Sequence, residues 1–130
     1  VSPVYETEPV GELNQPAFLN AAVEIETALE PLGLLNAVKA IENALGRLPR
    51  QHWGPREIDI DLVLWADLVL CTDALTLPHA AFRMRRFVLA PLAYLAPDLR
   101  DPVTDLSVAA LLQQPEAQGQ VFKTDIIICP

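Results

Sequence analysis

Arg56-Glu57-Ile58-Asp59-Ile60-Asp61-Leu62 is the stretch on which the fold class turns. Apolar and acidic side chains alternate through it, and a period of two is the mark of a half-buried β-strand. It puts Ile58, Ile60 and Leu62 on a buried face and Glu57, Asp59 and Asp61 on the other, with the two aspartates about 6.6 Å apart along the backbone. The pattern predicts a strand over 58–65, a second over 68–71, and an extended approach from Leu75 through Pro78 to His79.

Working upstream, Leu48 to Arg56 reads as a loop, broken by Pro49 and Gly54-Pro55 and carrying Trp53. Before it, Leu35, Val38, Ile41 and Leu45 recur at helical spacing between Pro31, suited to a first helical position, and Gly46, suited to a stop. Phe18 to Thr27 alternates as a strand, with Leu19, Val23 and Ile25 marking its buried face. Val4 to Thr7 reads as a shorter strand running into a loop at Pro9, Gly11 and Pro16. Downstream, Val88, Leu92 and Leu95 predict a helix over 88–95 with Pro91 in its first turn. Ser107 to Leu112 predicts a short helix, and Asp125 to Cys129 a last strand. Strands and helices mixed without a strict βαβ rhythm make this an α+β protein, an antiparallel-rich sheet with helices packed on it.

The chain has 130 residues, the size of one domain, and 52% hydrophobic against 20% charged residues places it outside the disordered class. The longest nearly apolar run, Leu62 to Cys71, is about half of a membrane helix, so no membrane association is expected. Cys71 and Cys129 have neither metal-ligand spacing nor disulfide-scaffold density, and no signal pattern precedes the first strand. A reducing, cytoplasmic setting is the expectation, for a chain that opens at Val1 rather than at a methionine.

A net charge of −8 argues against a nucleic-acid surface. The charge is uneven: residues 1–46 carry seven acids against Lys39 alone, whereas residues 47–86 hold Arg47, Arg50, Arg56, Arg83, Arg85 and Arg86. Arginines without lysines suit bidentate recognition of phosphate or carboxylate, although ordinary surface ion pairs would use the same residues. Asp59 and Asp61 on one face repel each other unless a cation joins them. Oxygen-only donors beside arginines suit Mg²⁺, and a solvent-facing strand edge is the other reading. No phosphate loop or dinucleotide fingerprint exists, so side chains and metal would have to hold any nucleotide. His52 and His79 share no zinc spacing with a cysteine, and neither Ser2 nor Ser107 lies in a nucleophile elbow.

Together with Tyr5-Glu6-Thr7-Glu8-Pro9, Gln15-Pro16-Ala17-Phe18-Leu19-Asn20, Ile41-Glu42, Gly46-Arg47, Trp53-Gly54-Pro55-Arg56, Pro78-His79 and Arg85-Arg86-Phe87-Val88-Leu89, this pattern resembles the 6-hydroxymethyl-7,8-dihydropterin pyrophosphokinase family over about residues 2–112. The resemblance implies a three-layer αβα sandwich, ferredoxin-like, with a mostly antiparallel central sheet. It implies an enzyme of folate biosynthesis that moves pyrophosphate from ATP to the pterin hydroxymethyl group and releases AMP. Asp59 and Asp61 would hold two Mg²⁺ ions, and Arg47 and Arg56 would contact the transferred phosphates as catalytic residues. Glu42, Thr76, His79 and Arg85, with Arg47, Trp53 and Arg56, would contact ATP. Thr7, Val10, Phe18, Asn20, Trp53 and Phe87 would form the pterin site, the two phenylalanines sandwiching the ring and the asparagine reading its polar edge. The loop from Leu48 to Pro55 would close as a lid. Partners would be these small molecules, with a monomer expected; a non-catalytic pterin- or nucleotide-binding remnant is the alternative.

The family's opening strand, Gly-Ser-Asn turn and helix have no counterpart in this sequence, and Asp125 to Cys129 is a candidate for the vacant strand position. Ala74 and Ala80 stand where some family members have longer side chains touching the nucleotide, Lys39 replaces an amide-bearing position, and the lid loop is about one residue short.

Overall fold

The computed structural model describes residues 1–7, 18–46 and 58–128, which form two compact units, 1–26 with 80–130 and 27–79. It is an α+β structure in which every ladder among the described residues is antiparallel.

The first unit is built on a three-stranded sheet in the order β2-β1-β5, from β1 (Tyr5–Thr7), β2 (Phe18–Asn20) and β5 (Val121–Lys123). The register sets Tyr5 against Asn20 and Lys123, and Thr7 against Phe18 and Val121. Because successive side chains alternate, these six residues share one face of the sheet. Helix α2 (Arg86–Leu95) covers that face, with the Tyr94 ring 5.2 Å from the Lys123 ammonium and Tyr5 and Thr7 both buried. A 3₁₀ turn, Phe82–Met84, leads into α2, and α3 (Val108–Leu112) packs against it. The core is Phe82, Leu89 and Val108, none of them exposed, with Val4 and Leu111 beside them. Each large side chain so buried contributes about 1.5–3 kcal/mol from apolar surface removed from water. Ser107 caps α3 by accepting a hydrogen bond from the Ala110 N–H at 3.1 Å.

The second unit consists of α1 (Pro31–Leu45), an extended stretch from residue 58, and a hairpin of β3 (Leu70–Cys71) with β4 (Thr76–Leu77). Thr72 closes the hairpin, its hydroxyl donating to the Leu75 carbonyl at 3.0 Å and accepting from the Leu75 N–H at 3.1 Å.

Several expectations are corrected. Ladder pairing from Phe18 stops at Asn20, and Leu19, Val23 and Ile25 are exposed rather than buried. For Leu19 the reason is the side on which α2 lies: it covers the Tyr5 and Thr7 face and leaves Glu6, Leu19 and Phe122 outward, whereas Val23 and Ile25 lie beyond the ladder, where side chains of both parities are exposed. In α1 the buried positions are Leu34, Val38 and Glu42, one helical face rotated from the expected Leu35, Ile41 and Leu45. Helix α2 starts at Arg86, two residues before the expected Val88, so Pro91 falls in its second turn and denies the Phe87 carbonyl its i+4 donor. The last strand is Val121–Lys123, not 125–129, and it lies at the sheet edge. Thr124 interrupts the ladder: Val4 accepts from the Thr124 N–H at 3.0 Å and donates to the Ile126 carbonyl at 3.2 Å, and the Thr124 hydroxyl donates to the Val4 carbonyl at 2.8 Å and accepts from the Ile126 N–H at 3.1 Å. Residues 125–128 therefore form no strand and take no interior sheet position, while Cys129 lies outside the described residues.

Residues 58–62 keep the predicted alternation, with Ile58, Ile60 and Leu62 half-buried and Asp59 and Asp61 exposed, whereas Val63, Leu64 and Trp65 are all half-buried. They join no ladder among the described residues, so this stretch is extended chain rather than an assigned strand.

Candidate active site

In the first unit, the sheet register brings Thr7, Phe18 and Asn20 to the face beneath α2. The Asn20 amide Nδ2 donates to the Thr7 Oγ1 at 2.7 Å. That bond fixes the amide, directing its NH₂ end to the buried threonine and its carbonyl oxygen elsewhere. Phe18 is 53% exposed although it lies on the covered face, so its ring is available to a flat ligand. At the entry of α2, the Arg85 guanidinium stands 5.7 Å from the centre of the Phe87 ring. One unit thus carries Thr7, Phe18, Asn20, Arg85 and Phe87.

The second unit carries Glu42, Asp59, Asp61, Thr76 and His79. Glu42 is fully buried on α1, with the Lys39 ammonium 3.1 Å from its Oε1, and is not the helix-surface acid its position near the end of α1 would allow. Asp59 and Asp61 both face outward from the extended stretch, two hard oxygen donors with apolar neighbours turned the other way. The His79 N–H donates to the Val63 carbonyl at 2.9 Å, tying the end of the hairpin to the stretch that carries the two aspartates. Thr76 is exposed on β4. Val10, Arg47, Trp53 and Arg56, and with them the lid loop, lie outside the described residues.

Residues 1–97 match the family model described as 7,8-dihydro-6-hydroxymethylpterin-pyrophosphokinase. The chain belongs to this family. Among relatives of the family, a 2-amino-4-hydroxy-6-hydroxymethyldihydropteridine pyrophosphokinase of Methylorubrum extorquens is 50% identical over 95 residues, covering 73% of this chain and 60% of that protein. One of the same name from Pseudomonas aeruginosa is 46% identical over 102 residues, covering 78% and 63%. The folic acid synthesis protein fol1 of Schizosaccharomyces pombe is 44% identical over 119 residues, covering 92% of this chain and 16% of that protein. The chain therefore spans about three-fifths of the length of these bacterial pyrophosphokinases.

Sequence reasoning missed the groups that hold the Arg85–Phe87 segment. The carboxylate of Asp101, 1% exposed, takes Arg83 Nε at 2.5 Å and Nη2 at 2.8 Å, and also accepts from the Thr104 hydroxyl at 2.7 Å and the Val103 N–H at 3.0 Å. The Arg83 hydrogen bonds hold the Asp101 carboxyl well below the usual carboxylate range, against the opposing effect of burial. Arg86 Nη2 donates to the Ala117 carbonyl at 3.0 Å. Asp101-Pro102-Val103-Thr104 has the composition of a turn, which was a readable signal. Its pairing with an arginine 18 residues away was not.

Proposed function

We propose that this protein transfers the pyrophosphoryl group of ATP to the hydroxymethyl oxygen of 6-hydroxymethyl-7,8-dihydropterin, in folate biosynthesis, giving the pterin diphosphate and AMP. The pterin hydroxyl oxygen bonds to the β-phosphorus while the bond from that phosphorus to the oxygen it shares with the α-phosphate breaks; AMP leaves with that oxygen, and the hydroxyl proton passes to solvent. Asp59 and Asp61 would hold Mg²⁺, whose chemistry is to neutralise the polyphosphate and to stabilise charge on the oxygens of the transferred group. The donor set suits that ion: two exposed carboxylates leave most of an octahedral shell to water and phosphate.

Arg47 and Arg56 are the residues that would meet developing charge on the phosphates, with Arg85, Thr76, His79 and Glu42 positioning the nucleotide. Phe18 and Phe87 would stack on the pterin, and Asn20, locked by Thr7, would present a fixed amide to its polar edge. Val10 and Trp53 complete the proposed lining, and closure of the loop from Leu48 to Pro55 would keep water from competing for the phosphoryl group. The three-layer ferredoxin-like sandwich belongs to this proposal too.

The observation that carries the reading is the outward pair Asp59 and Asp61 inside the stretch that matches the family model. The test is AMP formation from ATP and Mg²⁺, measured with and without the pterin, beside an Asp59→Ala, Asp61→Ala control. Pterin-dependent AMP that disappears in the control supports transfer. A folded chain that binds pterin and makes no AMP favours the non-catalytic binding module instead.

A further inference from the structure

Arg83, Arg85 and Arg86 crowd into four positions, and the structure gives them different work. Arg83 is forked onto Asp101, a carboxylate with no route to solvent, and stacks at 4.8 Å over the buried Phe82 ring. Arg86 is turned onto the Ala117 carbonyl. The Gln118 peptide brackets the residue between them, its N–H donating to the Met84 carbonyl at 3.2 Å and its carbonyl accepting from the Arg86 N–H at 3.0 Å. Arg85 therefore has its backbone pinned on both sides, while its guanidinium lies beside Phe87. All these anchors, Asp101, Ala117 and Gln118, come from beyond residue 97, where the family match ends.

We propose that Asp101 is a positioning residue for the nucleotide contact of Arg85, acting through Arg83. The inference rests on the assignment of Arg85 to ATP. A carboxylate that binds an arginine fork, a hydroxyl and an N–H at once leaves Arg83 little rotational freedom, and Arg83 is two residues from Arg85 on the same tight turn. The Asp101 pair thus fixes where the 3₁₀ turn ends and from which point the Arg85 side chain departs.

The test is a double-mutant cycle read by calorimetry with Mg²⁺ and a non-transferable α,β-methylene analogue of ATP, on this chain, Asp101→Asn, Arg85→Ala and the double variant. Asp101→Asn should weaken the analogue by about 5- to 10-fold in the native background and by less than about 2-fold when Arg85 is already alanine. Equal loss in both backgrounds, or no loss in the native one, overturns the positioning role. Should Asp101→Asn fail to fold by circular dichroism, Thr104→Val removes one bond to the carboxylate while keeping the ion pair. It should give a loss of about 2- to 3-fold that again vanishes without Arg85; native affinity in that variant overturns the proposal. A native chain that binds neither the analogue nor the pterin removes the functional reading and the inference with it. Native binding with indifferent variants removes the inference alone.

Discussion

The Asn20 amide donates to the Thr7 hydroxyl across two strands, 2.7 Å from nitrogen to oxygen, on the sheet face that α2 covers. An amide fixed in this way reads a ligand edge with one defined pattern of donor and acceptor, whereas a freely turning amide would accept either. Thr7→Val keeps the shape and the buried position but removes the acceptor. Pterin affinity, followed by the ligand's own fluorescence, should fall about 5- to 10-fold while the strand stays paired. Unchanged affinity would mean that Asn20 does not read the pterin.

Asp59 and Asp61 face solvent, so their loss should be felt in chemistry rather than in folding. Asp59→Asn and Asp61→Asn should each lower AMP formation by about 10²-fold or more, and EDTA should abolish it in the native chain. For Asp61→Asn, stability in urea should change by no more than about 0.5 kcal/mol, as for other exposed substitutions. A variant that unfolds instead would make the pair structural.

What the sequence revealed and what it hid divide along physical lines. The alternation at Ile58, Ile60 and Leu62 was legible because period two survives even where no ladder is assigned. Helices α1 and α2 were legible from apolar spacing and Pro31, and α3 falls within the short helix expected over 107–112. Which face of a strand is covered depends on where a distant helix lands, and for Leu19 that was not written locally. Likewise Thr7, Phe18 and Asn20 could be named from motif and period, while the Asp101 anchor for the arginine segment needed contacts that only folding supplies.

The Arg83–Asp101 pair gives a pH signature with a definite sign. The folded-state pKa of Asp101 is depressed by Arg83, so the pair's contribution to stability is fully present above the unfolded carboxyl pKa of about 3.9 and is lost as pH falls below it. Asp101→Asn should cost about 2–3 kcal/mol at pH 7 by urea denaturation, the scale of hydrogen bonds to a buried charge. Its stability should also fall less steeply than that of the native chain between pH 4 and pH 2. Parallel pH profiles for the two proteins would show that the carboxylate is not what titrates.

Leu89 and Leu19 carry the same side chain in opposite circumstances, the first fully buried between sheet and helices, the second 60% exposed on the uncovered sheet face. Leu89→Ala removes packed atoms and leaves a cavity, and should cost about 2–5 kcal/mol. Leu19→Ala gives up little buried surface, and should shift stability by no more than about 0.5 kcal/mol. Because Leu89 lies on the helix that carries Phe87, its loss should also weaken pterin binding, whereas any effect of Leu19→Ala on binding should be small. Thermal melts with and without pterin separate the two effects. If Leu19→Ala proves as costly as Leu89→Ala, the outer sheet face is covered in solution, and the burial pattern that sets α2 over Tyr5 and Thr7 would need a second layer on the other side.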